Sequence, residues 1–331
     1  MAALNPRAAC VADGLASARL SGLERGEVHV WRLRLGATAA GLASLRDLLD
    51  DAERQRADRF VFGVHRDRYV VAHGLLRRLI SRYTGGSAAS IAFVGGARAK
   101  PRLSGRSSLR FSLSHSGDLG LVALAWHREV GVDVEAVRPL ADLDGLAATC
   151  LSPSERAELE ALPEARRQRA FFEGWTRKEA FLKAIGDGLS RPLPGVDVTL
   201  RPGEPARLLR VEWDPGLCSR YALWALDPGD GFAGALATEG TDVTVRQCGD
   251  VGVGDATGES DGARGDRGGD RFSGIGEPRG PVLDLAGGQA AAPGLAACGH
   301  AGKQAGVPRV DRAGLDGHDA GKPAAEVRAA L

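Results

Sequence analysis

Lysine is scarce in this chain. Only five of its 43 basic side chains are lysine, at positions 100, 178, 183, 303 and 322, and arginine supplies the rest. That bias, beside abundant alanine and glycine, fits a GC-rich coding sequence and carries no chemistry by itself. Charge of one sign is lacking too: 42 acidic groups leave a formal net charge of +1. Bulk attraction to nucleic acid is therefore not expected, and any basic site must be local. The five cysteines, at 10, 150, 218, 248 and 298, are odd in number and never close together. They give neither a disulfide framework nor a zinc-type spacing. No apolar run approaches the roughly 20 residues needed to span a bilayer. The opening Met1 to Arg7 lacks the basic-then-apolar layout of a secretory signal. A reduced cytoplasmic enzyme with no membrane partner is the expected class.

What is present is enough for two ordinary domains in 331 residues. The patterning predicts an α+β fold of two pseudo-symmetric units, each a long helix packed on a small antiparallel sheet. Residues 1–25 read as a poorly ordered lead-in. Residues 26–126 form the first unit: a strand near Val28 to Leu33, helices over Leu45–Phe60 and Arg66–Tyr83, and a short strand at Ile91 to Val94. Strands at Leu109–Leu113, Leu119–Trp126 and Val130–Glu135 follow in quick succession. The links Ser114 to Asp118 and His127 to Glu129 are short enough for hairpin turns, which predicts an antiparallel meander. Residues 127–239 form the second unit. There Ser152-Pro153-Ser154-Glu155 is a helix start, and a longer helix around Trp175 stops at Gly186-Asp187-Gly188. From 240 to 331 the chain holds 21 of the 46 glycines and a single aromatic, Phe272. The expectation there is a disordered C-terminal tail, or a shifted-frame readthrough, with no function of its own.

Two segments carry the chemistry. In Gly131-Val132-Asp133-Val134-Glu135, period-two geometry puts both carboxylates on one face of a strand. In the helix, Phe171, Trp175, Leu182 and Ile185 make an apolar stripe, while Glu179 and Lys183 lie one turn apart and point the same way. Where helix and strand meet, three carboxylates and an ammonium converge. That set suits a hard divalent cation beside a polyphosphate. Taken singly, each element has a plain explanation: a solvated sheet face, a surface ion pair, a Ser-His-Ser-Gly turn. Their joint order and spacing is what raises a site above those.

Read together, Lys100-Pro101, the run Phe111 to Gly117 (FSLSHSG), the run Gly131 to Glu135 (GVDVE) and the run Trp175 to Leu189 (WTRKEAFLKAIGDGL) resemble the signature blocks of the 4′-phosphopantetheinyl transferase superfamily. The layout is similar to its larger, pseudo-dimeric type, that of surfactin-synthetase-activating enzymes. The resemblance covers about residues 26–238 and excludes the tail. It implies transfer of the phosphopantetheine arm of coenzyme A to a serine of an apo carrier protein, with release of adenosine 3′,5′-bisphosphate. The carrier would belong to a polyketide, nonribosomal peptide or fatty acid synthase.

Residue by residue, the resemblance implies Mg²⁺ at Asp133, Glu135 and Glu179, any one of which can act through a bound water. Glu179 and Lys183 are the implied catalytic pair. Glu179 is metal ligand, proton acceptor or both, and Lys183 neutralises or protonates the leaving phosphate. Lys100, Pro101, Ser114 and His115 match positions at the coenzyme A phosphates. Arg68 and Arg56, with Arg54 beside it, match basic positions at the 3′-phosphate end, where the family is often lysine-rich and this chain is not. Glu155 matches an acidic position that its helix start explains equally well, and Trp175 reads as a core anchor. A monomer is expected, because the second unit supplies what a partner subunit otherwise would. Competing readings are a non-catalytic coenzyme A-binding or carrier-docking protein of the same fold, and a Mg²⁺-dependent phosphohydrolase. The latter leaves Lys100 and the Ser114-His115 segment unexplained.

Overall fold

A computed structural model describes residues 22–256, apart from 96–99 and 187–190. Most of the expected lead-in and tail, the loop at Ala99 and the stop at Asp187-Gly188 lie outside the described residues. In chain order the strands are β1 (Glu27–Arg34), β2 (Phe93–Val94), β3 (Arg102–Leu103), β4 (Leu109–Ser116), β5 (Leu119–Trp126), β6 (Val130–Ala136), β7 (Val196–Val198), β8 (Leu208–Val211), β9 (Tyr221–Leu226), β10 (Phe232–Glu239) and β11 (Thr244–Val251). The helices are α1 (Ala39–Arg46), α2 (Asp51–Asp58), α3 (Gly63–Thr84), α4 (Leu143–Cys150), α5 (Pro153–Ala161), α6 (Glu164–Ile185) and α7 (Leu217–Arg220). No helix among the described residues is long and apolar enough to cross a membrane.

Two sheets carry the fold, in the orders β11-β1-β5-β4 and β6-β10-β9. The alternation of side chains sorts three cores. Trp31, Leu33, Phe111, Val122 and Leu124 face α3 with Val71, Leu75 and Leu79. On the other face of the first sheet, Val28, Val30, Leu121 and Ala123 meet Val130, Val132 and Val134 of β6. Beyond the second sheet, Ala233, Ala235 and Ala237 pack under Phe171, Trp175 and Phe181 of α6. The layers thus run helix, sheet, sheet, helix.

The structure departs from the sequence reading in four places. The helix expected over Leu45–Phe60 is two helices, because Asp50 caps a new start: it accepts from Glu53 N, while Glu53 reaches back to Asp50 N in a capping box. Ser114, His115 and Ser116 belong to β4, which leaves only Gly117-Asp118 as the turn, with Gly117 at φ 59°. The meander also ends one strand early. β6 pairs with β10 and not with β5; His127, at φ 57°, turns the chain between the two sheets.

Lastly, the tail does not begin at 240. Thr244–Val251 forms β11, parallel to β1 on its outer side. Val251 is fully buried, and a Cβ on Gly41 would collide with the Val253 side chain, so this segment is seated in the first unit's core. Arg246 pairs with Glu27, and Asp250 with Arg32 and Arg34.

Candidate active site

The site forms where α6 crosses β6. Gly131 permits the crossing: a Cβ there would lie 2.0 Å from Ala180 O and 2.4 Å from Ala184 N. Only glycine lets the helix backbone come that close. The helix itself is held by its buried aromatic face and closed by Gly186, a left-handed C-cap at φ 85°. Because Gly131, Asp133 and Glu135 share a strand face, that approach carries both carboxylates towards α6.

Asp133 is 1% exposed. Its Oδ1 accepts hydrogen bonds from Lys183 Nζ at 2.6 Å and Ser114 Oγ at 2.8 Å. Lys183 also donates to Ser114 Oγ at 2.8 Å and Val132 O at 3.3 Å, so all three of its protons are used. Serine, carboxylate and ammonium close a triangle. The second oxygen, Asp133 Oδ2, is buried and has no hydrogen-bond partner among the described residues, an arrangement that costs about 1–3 kcal/mol unless something fills it. Glu135, half-buried at the end of β6, accepts from Ser116 Oγ at 2.8 Å. Glu179 is 2% exposed, one turn before Lys183. The three carboxylates do not form a ready cage, since no group of three or more His, Cys, Asp or Glu among the described residues is close enough to hold a metal. An ammonium sits on Asp133 instead.

The remaining expected residues are placed elsewhere. Lys100 is largely buried at the other end of β6, donating to Val130 O at 2.6 Å and Glu129 Oε2 at 3.0 Å. Burial pushes its ammonium below the ordinary value, and Glu129 opposes that. Glu129 also meets Arg102 at 2.7 Å and Arg110 at 3.1 Å. Burial works against its charge, yet Lys100 and Arg102 hold its carboxyl below the usual range. Pro101 is exposed beside this cluster. His115 is half-buried on β4 and alternates away from Ser114. Ser114 faces Asp133 and Lys183, not a turn. Arg68 stands half-buried near the start of α3, and the Arg56 guanidinium lies over the Tyr69 ring at 5.9 Å. The structure therefore unites Ser114, Asp133 and Lys183, with Glu179 and Glu135 flanking them; it does not bring Lys100, Arg56 or Arg68 into that triangle.

Comparison with known proteins gives this geometry a family. The model of the 4′-phosphopantetheinyl transferase superfamily matches residues 129–237, and that of a 4′-phosphopantetheinyl transferase N-terminal region matches 37–127. The 4′-phosphopantetheinyl transferase HetI of Nostoc sp. is 38% identical over 217 residues, covering 65% of this chain and 88% of its own length. The chain belongs to the 4′-phosphopantetheinyl transferase superfamily. Its activity is that of a phosphopantetheinyl transferase. Two further relatives are psf-1 of Bacillus pumilus, 30% identical over 183 residues (55% of this chain, 77% of that one), and AcpT of Salmonella typhi, 38% identical over 138 residues (42% and 68%).

In this transferase, sequence reasoning missed the buried group that anchors α6. Lys178 is fully buried and donates to Glu155 at 2.5 Å, Cys150 O at 2.9 Å and Leu193 O at 3.1 Å. Glu155 also accepts from Ser152 N and Val198 N, both at 2.8 Å. Glu155 is thus a capping-box residue, as its helix start suggested, and a counter-ion as well. The clamp fixes α6 one residue before Glu179. Ser116 escapes sequence reasoning for a different reason: the composition around it suits a turn.

Proposed function

We propose that this transferase moves the phosphopantetheine arm of coenzyme A to a serine hydroxyl of an apo carrier protein, with Mg²⁺ bound at Asp133, Glu135 and Glu179. The triangle of Ser114, Asp133 and Lys183, with the orphaned Asp133 Oδ2 beside it, is the observation that supports this reading. Mg²⁺ retains water and needs only one or two carboxylates beside substrate phosphates, so the absence of a three-carboxylate cage among the described residues does not oppose it. A buried carboxylate oxygen with no other partner among the described residues fits such an ion. When bound, Mg²⁺ supplies positive charge at the pyrophosphate oxygens.

The chain's own residues supply the rest. Glu179 accepts the proton of the attacking serine, directly or through water, as the new oxygen–phosphorus bond forms. The bond from that phosphorus to the bridging pyrophosphate oxygen breaks, and adenosine 3′,5′-bisphosphate departs with the electron pair. Lys183 stabilises the charge that develops there; such positioned cations lower the barrier because they need no reorganisation. Lys100, Pro101, Ser114 and His115 line the path of the coenzyme A phosphates, and Arg56 and Arg68 serve the 3′-phosphate end. The partner is a carrier domain of a polyketide, nonribosomal peptide or fatty acid synthase, and the working form is a cytoplasmic monomer. The test is to incubate the chain with an apo carrier domain, coenzyme A and Mg²⁺ and to weigh the carrier. It should gain one phosphopantetheine mass, and EDTA should abolish the gain. Tight coenzyme A binding with no gain on several carriers would support the non-catalytic reading instead.

A further inference from the structure

We infer that Ser116 is a positioning residue that aims the Glu135 carboxylate, through a ladder of serine hydroxyls joining the two units; this rests on the reading of Glu135 as a metal ligand. Residues 112, 114 and 116 share one side of β4, and all three are serine. Their hydroxyls reach the edge of β6 opposite β10. Ser112 Oγ accepts from Val132 N at 3.1 Å. Ser114 Oγ donates to Asp133 Oδ1 at 2.8 Å. Ser116 Oγ accepts from Ala136 N at 3.0 Å and donates to Glu135 Oε2 at 2.8 Å. Backbone N–H groups that β10 does not use are thus satisfied by side chains of the other sheet.

Ser116 does two jobs where Ser112 does one. Because its oxygen takes the Ala136 proton, its own proton is free to fix the carboxylate that precedes Ala136. A Glu side chain has three rotatable bonds, and one hydroxyl anchored to the backbone selects among its rotamers. Partners of this kind, which orient a metal-binding carboxylate, typically change metal affinity about 10–100-fold when removed. Among the described residues the Ser112 hydroxyl bonds to backbone alone, so it provides the control for a merely structural seam.

The test uses the full chain, an apo carrier domain, coenzyme A and a Mg²⁺ titration. In Ser116→Ala the Mg²⁺ concentration for half-maximal rate should rise about tenfold, with most of the rate recovered at saturating Mg²⁺. Ser116→Thr should keep both near the parent values. Ser112→Ala should lower the melting temperature yet leave the Mg²⁺ midpoint alone. A second readout needs no turnover: Mn²⁺ titrated into the protein with coenzyme A present, followed by electron paramagnetic resonance, should bind more weakly in Ser116→Ala only. If Ser116→Ala does not fold, Ser116→Val against Ser116→Thr makes the same comparison between a methyl and a hydroxyl. Equal metal dependence in the Ser112 and Ser116 variants would overturn the inference. Glu135→Gln separates it from the underlying reading. If Glu135→Gln shifts the Mg²⁺ midpoint and Ser116→Ala does not, only the serine role fails; if Glu135→Gln changes nothing, the metal reading falls and takes the serine role with it.

Discussion

The two long helices repeat each other closely enough that their differences are informative. Both α3 and α6 have 22 residues and end on a left-handed glycine, Gly85 or Gly186. The fifteenth residue of each is a buried cation, Arg77 or Lys178. Each cation holds the capping-box glutamate of the preceding short helix, Glu53 in α2 or Glu155 in α5. Each also binds a carbonyl in the chain beyond its helix: Arg77 to Ile91 O at 2.7 Å, Lys178 to Leu193 O at 3.1 Å. The clamp is thus common to both units. The positions beyond it differ: the next residue is Arg78 in one helix and Glu179 in the other, and one turn later stand Arg82 and Lys183. The clamp holds up the fold, and the positions after it decide which unit carries the chemistry.

The sharpest way to break this comparison is to exchange roles along the helices. Glu179→Gln, Asp133→Asn and Lys183→Met should each lower transfer by roughly 10²–10⁴-fold, the range for losing a general base or a charge-stabilising group, while circular dichroism stays unchanged. Arg78→Gln and Arg82→Gln, at the matching positions of α3, should leave the rate within about threefold, since the triangle of Ser114, Asp133 and Lys183 is built on α6 and not on α3. A large loss from either arginine variant would mean that α3 itself takes part in the chemistry.

Next in size is the clamp. Removing one partner of a buried, hydrogen-bonded ion pair leaves the other charged and unpaired, which costs about 3–5 kcal/mol. Arg77→Met and Lys178→Met should both lose stability of that order in denaturant melts. Only Lys178→Met should also slow transfer per folded molecule, because only α6 carries Glu179 and Lys183. Equal kinetic effects would show that the clamps do not act separately on the two units.

The two long helices and most strands were legible because local periodicity writes them. The stripe from Phe171 to Ile185 and the alternation of Val130, Val132 and Val134 are both patterns within a single element. What was not legible depends on partners far along the chain. Val243, Val245 and Val251 in and around β11 look like scattered apolar residues among glycines until β1, over 200 residues earlier, is set beside them. Lys178 has no role in the motif until Glu155 and two carbonyls enclose it. The Ser114–Ser116 run suits a turn by composition, and only its pairing with β5 makes it a strand. The catalytic segment was easier to find than the ladder that supports it, since a motif is local and its support is not.

A third experiment weighs β11 against the residues after it. A chain ending at 243 loses β11, the buried Val251 and the Asp250 and Arg246 ion pairs, and should be destabilised by about 3 kcal/mol, mainly from lost apolar burial. A chain ending at 256 keeps all of these and should melt with the parent. If both truncations melt alike, β11 contributes nothing to the first unit, and the tail begins where composition alone placed it.

The smallest effect is also the most specific to the comparison, because acid should treat the two clamps oppositely. At Glu53, burial works against the charge, but the hydrogen bond from His73 and the Arg77 charge outweigh it and hold the carboxyl below its ordinary value. Its contribution is therefore complete above the unfolded value near 4.3 and is lost as pH falls through the lower folded value. At Glu155, burial dominates, and the carboxyl is pushed above its ordinary value despite Lys178. That group favours the folded state most at or below the unfolded value, and the advantage declines as pH rises towards the folded one. Glu53→Gln should thus flatten the loss of melting temperature below about pH 4, relative to the parent. Glu155→Gln should flatten a decline on the other side, between about pH 4 and the raised folded value. Both substitutions lower the midpoint at every pH by breaking a clamp, so the slope against pH, not the height, is the quantity to compare. Parallel slopes in the two variants would mean that the clamps share one electrostatic setting, and that burial of Lys178 does not distinguish the unit that carries the site.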